Sequence, residues 1–171
     1  MNLKYAVLAA LVAALSWGSN DPCNRSVEPA NATGNARVDA LFDSFRKDEY
    51  RARRFPDLAL SDVPALLMLG ESDRILKTFP RNLISSQFET NCSEGMVALW
   101  LIEGIRQGEG FPSLNSLCLG NNPNKDLTAE SESNRKVVLA SYQKWWKDTM
   151  AQMANQAQVN DPLAEANLNW H

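Results

Sequence analysis

Histidine is almost missing from this chain: there is one, and it is the last residue, His171. A serine or cysteine nucleophile normally works beside a general base, most often an imidazole, so Ser/His and Cys/His pairs drop out at once. Cysteine is scarce too, at three residues, and no Cys/His spacing fits zinc. No glycine-rich loop fits a phosphate-binding pattern. No block of one charge sign stands out either: Lys plus Arg number 17 against 20 for Asp plus Glu, a net charge of −3, which argues against a protein that tracks a nucleic-acid backbone. No apolar run reaches the length of about 20 residues that a transmembrane helix needs. The sequence therefore assigns no catalytic residue, no cofactor-binding residue and no metal ligand. What it has is 44% apolar residues in 171, enough for one domain that buries roughly 68–70% of its unfolded surface without a metal or a disulfide framework.

The first apolar segment reads as an export signal. Lys4 precedes the run from Tyr5 to Leu15, and Ser16-Trp17-Gly18 places small residues at −3 and −1 of a cut after Gly18, with a cut after Ser16 also open. Residues 1–18 are read as a signal peptide and 19–35, rich in Asn, Ser, Pro and Gly, as a mobile leader. A single helical domain is expected over 36–171, in the periplasm or outside the cell. Cys23 raises lipid anchoring, but Asn20-Asp21-Pro22 is not the pattern lipoprotein processing expects, so anchoring is disfavoured. In an oxidising compartment Cys92 and Cys118 are the better pair, closing a loop equivalent to about 3.5 kcal/mol of denatured-state entropy. Buried free thiols are the alternative. Three tripeptides, at Asn24, Asn31 and Asn91, fit the glycan acceptor pattern, which matters only in a eukaryotic host.

Apolar periodicity then marks out helices. Val38, Leu41, Phe42 and Phe45 share one face, and the mixed charges from Arg46 to Arg54 read as a solvated end. Ser61 as N-cap, Pro64 in the first turn and Gly70 as a stop predict a two-turn helix over 62–69. Ser72-Asp73 predicts a short helix through Lys77, ended by Phe79-Pro80, and 81–91 reads as loop. Asn91 or Ser93 caps a helix over 94–107 that is apolar on most sides and so belongs at the centre of the core. The piece from Leu114 to Leu119 is too short to classify. After Thr128 the longest helix runs from Ala129 to Met153, with Val138, Tyr142, Trp145, Trp146, Thr149, Met150 and Met153 on a common face. Phe-Pro pairs at Phe55, Phe79 and Phe111 punctuate the chain. Short helices between Pro-bearing turns predict an all-α domain of packed helix pairs, as a bundle or a short α-solenoid-like (HEAT-like) stack.

Chemistry-bearing patterns are few, and each has a plainer reading. Ser141 with Lys144, and Ser133 with Lys136, match the S-x-x-K spacing of penicillin-recognising enzymes, but the companion S-D-N and K-T-G motifs are absent. Glu94 and Glu103 are the carboxylates that could serve glycoside hydrolysis. Arg106, three residues beyond Glu103, favours a structural ion pair instead. Trp100, Trp145 and Trp146 could stack on sugars, although helical spacing makes them core residues first.

Three stretches carry a resemblance: Ser61 to Leu67, Phe79 to Ser86, and Gly95 to Arg106. Tyr142-Gln143-Lys144-Trp145-Trp146, Asp161-Pro162-Leu163 and Trp170-His171 extend it over most of 55–171. The chain resembles a domain-of-unknown-function family of small, exported, mostly helical proteins from Bacteroides-type bacteria. It departs from that pattern at Leu83, where a second proline is expected, and in lacking the lipoprotein box before Cys23. The resemblance implies a helical exported domain and transfers no catalytic residue.

These readings lead to an exported helical interaction or structural module without chemistry of its own. Its partner would be an exported protein or a cell-envelope component, with no nucleic acid and no transmembrane segment in the mature chain. The alternative is a cell-envelope or glycan-active hydrolase using carboxylates. One more expectation concerns the tail: Leu163 and Trp170 are too costly to leave in water, so the tail should fold back as a clasp.

Overall fold

A computed structural model describes residues 32–52, 54–82, 92–108, 110–113, 119–120, 128–153 and 161–170, with side chains left aside at 119–120, 128–132 and 152–153. They belong to one unit spanning Asn31–His171. The signal peptide over 1–18, the leader before residue 32, Cys23, Cys118, His171 and the glycan acceptors lie outside the described residues.

Helix α1 (Ala36–Arg46) starts at Asn35, whose side-chain oxygen accepts from the backbone N–H groups of Arg37 at 3.1 Å and Val38 at 3.2 Å. Those two donors would otherwise be orphaned by the helix start. The same Asn35 donates through Nδ2 to Asp62 at 2.9 Å. Asp62 is buried and also accepts from the N–H of Ala59 at 2.8 Å, so one carboxylate joins the start of α1 to the start of α2 (Val63–Leu69). Ser61, expected to cap α2, instead lies inside a 3₁₀ turn, Leu60–Asp62, that leads into it. Pro64 does sit in the first turn of α2, and Gly70 follows its last residue.

The short helix expected after Ser72 is absent. In its place Ile75–Leu76 form strand β1, paired antiparallel with β2 (Cys92–Ser93) in the register Ile75 to Ser93 and Leu76 to Cys92. Four residues before Phe79-Pro80 provide too few intrahelical bonds to offset nucleation. The extended form turns Leu76 into the core and leaves Ile75 59% exposed.

Helix α3 (Glu94–Gln107) is capped by Ser93, whose Oγ accepts from the Met96 N–H at 3.2 Å, and ends at Gly108 in the left-handed conformation, φ 71°. Every residue from Glu94 to Gly104 is buried. Helix α2 packs on α3, α4 (Thr128–Met153) packs on α3 as well, and α2 also touches α4. The all-α expectation is met in the sense that matters for packing, with two minimal antiparallel pairs as additions among the described residues. The second of these joins β3 (Leu119–Gly120) to β4 (Asn169–Trp170).

On α4 the buried set is Val138, Leu139, Tyr142, Trp145 and Thr149, together with Arg135. The common face read from the sequence is thus rotated: Trp146 is half-buried and Met150 is 41% exposed. Two Phe-Pro pairs meet in space. Phe55 and Phe111 lie edge to face at 5.8 Å, and Phe111 stacks on Trp100 at 5.5 Å. The indole N–H of Trp100 donates to the Ser113 hydroxyl at 2.8 Å.

Two glycines let loops cross α3 at contact distance. A Cβ on Gly95 would stand 2.6 Å from the Gly70 carbonyl oxygen and 2.9 Å from Arg135 Nη1; one on Gly104 would run into the Phe55 ring and stand 2.7 Å from the Gly110 carbonyl oxygen. Alanine gains helix propensity of up to about 1 kcal/mol, but overpacking against backbone costs about 1–3 kcal/mol. Gly95→Ala and Gly104→Ala are each expected to lower the melting temperature by several degrees. Thermal unfolding followed by circular dichroism checks this, and an unchanged or raised midpoint contradicts the packing described.

Candidate functional site

The richest polar constellation among the described residues is built on Glu103, late in α3. Its carboxylate is buried and accepts four side-chain hydrogen bonds: from Arg106 Nε at 2.8 Å and Nη2 at 2.6 Å, from Gln107 Nε2 at 2.8 Å, and from the Tyr142 hydroxyl at 2.8 Å. Arg106 and Gln107 arrive by helical spacing, three and four residues on, where side chains share a face. Tyr142 arrives from α4. Its oxygen in turn accepts from the indole N–H of Trp170 at 3.0 Å, and Arg106 Nη2 lies 3.7 Å from Asp161.

Burial pushes the Glu103 carboxyl toward higher pKa, but the hydrogen bonds and positive charge of Arg106, with the bonds from Tyr142 and Gln107, more than reverse this and hold it below its usual range. Burial, and then the facing Glu103 charge, raise Tyr142 well above the usual phenol value. Tyr142 is therefore a fixed hydroxyl donor and Glu103 a fixed anion, so neither is poised to exchange a proton near neutrality.

Glu94, the other candidate carboxylate, is fully buried at the first turn of α3 and accepts from Arg46 Nε at 2.7 Å. Arg46 also reaches Asp43 at 3.0 Å through Nη1. Its Nη2 and the second oxygen of Glu94 find no partner among the described residues. Nine residues separate Glu94 from Glu103. At 3.6 residues per turn and 1.5 Å rise they point to opposite sides of α3, roughly 13.5 Å apart along the axis. The fold does not bring them together, and each faces an arginine.

The remaining candidates are dispersed. Trp100 is fully buried and Trp145 nearly so, while Trp146 lines a groove between α2 and α4. That groove has a volume of about 640 Å³ and is bordered by Pro64, Leu67, Met68, Glu71, Gln143 and Lys147 as well. Met68 stands 62% exposed there. Lys144, of the S-x-x-K pair with Ser141, reaches Glu165 at 3.2 Å; Ser133 and Lys136 lie on the outer side of α4. Cys92 is buried in β2. Among the described residues no group of three or more His, Cys, Asp or Glu side chains could hold a metal ion, and no helix is long and apolar enough to cross a membrane.

Several residues that shape the site were invisible in the pattern of the sequence. Tyr142 reads there only as one more apolar position. Arg135 reads as an exposed charge, yet it is buried, donating to the Gly70 carbonyl at 2.8 Å and pairing with Asp73. Asp62 reads as a helix-start residue with no long-range role. The tail is where expectation and structure coincide: Leu163 and Leu168 are buried, and Trp170 reaches Tyr142.

Deleting residues 161–171 should lower the melting temperature by roughly 10 °C or more, because Leu163 and Leu168 each bury a side chain worth about 1.5–3 kcal/mol. An unchanged melting curve refutes the clasp. Acid should act through Glu103. Its folded pKa is depressed, so its contribution is present above the unfolded carboxylate pKa and is lost as pH falls through the folded value. Glu103→Gln is expected to cost about 3 kcal/mol at pH 7 and to flatten the decline of stability between about pH 5 and 2. Melting temperature measured against pH for both proteins decides this; parallel curves would show that Glu103 is not the acid-sensitive group.

No curated protein and no solved structure matches the chain. A family model does, over residues 32–171, and its description is a domain of unknown function, DUF4943. It covers the α1–α4 body and the clasped tail together, and on that match the chain belongs to the DUF4943 family.

Proposed function

We propose that this protein is an exported helical interaction or structural module without chemistry of its own, and that its partner is another exported protein or a cell-envelope component. The observation that carries this reading is the groove between α2 and α4, lined by Met68, Leu67 and Trp146 together with Glu71 and Lys147. An exposed methionine beside a half-buried tryptophan is a surface that adapts to an apolar partner side chain, with opposite charges available at the margin. The arginine-locked state of Glu94 and Glu103 supports the same reading, since a carboxylate already held by a guanidinium is a poor general acid.

Export is part of the proposal and rests on Lys4 with the apolar run from Tyr5 to Leu15. The reading of the family as exported proteins of Bacteroides-type bacteria belongs to it too, and rests on the resemblance carried by Ser61 to Leu67, Phe79 to Ser86 and Gly95 to Arg106. A Cys92–Cys118 bridge belongs to it as well, as the pairing an oxidising compartment would favour. Lipid anchoring through Cys23 remains the less favoured variant, and a carboxylate hydrolase the alternative activity.

The test is capture from the native envelope with a photo-crosslinker at position 68. One predominant crosslinked protein is expected, reduced at least tenfold by Trp146→Asp and unaffected by Leu60→Asp, which alters an exposed apolar residue elsewhere. Equal capture by all three proteins would overturn the reading. Sugar release from envelope glycans that Glu103→Gln abolishes would replace it with the hydrolase.

A further inference from the structure

A second concavity lies on another part of the surface, between α1 and the segment that runs from Tyr50 to Leu58. Its volume is about 300 Å³. The floor is apolar: Leu41 from α1, with Phe55, Pro56 and Leu58 from the segment. The aromatic wall is held in place from behind. Tyr50 sits edge to face on the buried ring of Phe45 at 4.9 Å, its hydroxyl donates to the Arg54 carbonyl at 3.2 Å, and Phe55 is braced by Phe111.

Arg37 and Arg54, two arginines, also line the concavity. Arg54 makes no ion pair among the described residues, and its charge is felt at the Tyr50 phenol, where it opposes the rise that burial causes. Arg37 is only loosely engaged. Its Nη1 donates to the Asp57 carbonyl at 3.4 Å, and its Nε is 3.6 Å from Asp62, an acceptor already served by Asn35 and Ala59. One carboxylate, that of Asp57, also borders the pocket and pairs with neither guanidinium. Among the described residues the pocket lining thus brings two guanidinium groups and one carboxylate, with Asp62 behind Arg37, in a chain whose overall charge is −3.

We propose that this pocket binds a carboxylate attached to an apolar group, the carboxylate between Arg37 and Arg54 and the apolar group on Leu41, Phe55 and Leu58. Guanidinium groups recognise carboxylates through paired N–H donors, and a mostly apolar pocket with a few placed polar groups is the usual form of a small-ligand site. The volume suits one aromatic or branched aliphatic group. Two sources share this chemistry, a small organic acid and the C-terminal residue of a peptide. The site is separate from the α2/α4 groove and stands whether or not that groove binds a partner.

The test uses the full chain and defined probes. 3-Phenylpropionate and its neutral amide are titrated against ¹⁵N-labelled protein, with the Arg side-chain Nε–H signals and the backbone amides of Ala52 and Phe55 observed. The tripeptide Ala-Ala-Phe follows, with a free and then an amidated C-terminus. Saturable shifts in the low-millimolar range or tighter are expected with the carboxylates, at least tenfold weaker with the amides. The tighter of the two acids identifies the source. Arg54→Gln should weaken binding about tenfold, the effect of losing one charge-assisted bond. Asp57→Asn should strengthen it, because a like charge leaves the lining. Both residues are exposed, and circular dichroism confirms that the variants fold. Amides that bind as well as acids, shifts that do not saturate, or an Asp57→Asn variant that binds more weakly would overturn the proposal.

Discussion

Helix α3 has no solvent-facing side from Glu94 to Gly104, and a helix in that position must be covered all the way round. Two neighbouring helices cannot do this alone. The rest of the circumference is closed by β1 next to β2, by the Phe-Pro segments at 55 and 111, and by the tail, whose Leu163 and Leu168 join the same core. The short elements that look incidental in a list of helices are what complete the cover. Gly95 and Gly104 mark where backbone comes too near for a side chain.

A central helix that contains two glutamates also has to neutralise them where water cannot. Both are answered by arginine, but differently. Glu103 uses a partner on its own helix, and then recruits Tyr142 and, through it, Trp170. Glu94 draws its partner from α1, far away in sequence. A buried pair of this kind contributes little net stability, since desolvation offsets attraction, yet breaking one half is costly. These pairs therefore fix which elements must meet more than they add to the total. They locate α1, through Arg46, and the tail, through Trp170.

The sequence discloses whatever depends on local periodicity. Ser93 caps α3 and Gly70 follows α2 as their neighbours suggest, and the enclosed character of 94–107 follows from its apolar residues alone. It conceals what depends on a partner distant along the chain. β1 is set by its pairing with Cys92–Ser93, which no pattern within 72–77 encodes. Arg135 is buried because the Gly70 carbonyl and Asp73 happen to lie opposite. Trp146 and Met150 fall on the apolar stripe of α4 but outside its covered arc, because that arc is rotated toward Arg135 and Leu139. For the same reason the polar network was only half legible: Glu103 with Arg106 is a matter of spacing, while Tyr142 enters from another helix.

The tail contacts also govern the order of events when the chain is made. Glu103 and Arg106 are synthesised early enough to pair at once, and Tyr142 follows, but Leu163, Leu168 and Trp170 come later and complete a core centred on residues some sixty positions earlier. A nascent chain that has reached only the end of α4 has an open seam along α3. Contacts so far apart in sequence close late and slowly relative to local helix formation. The cover of α3 is thus complete only once residues 161–170 are free to fold back on it.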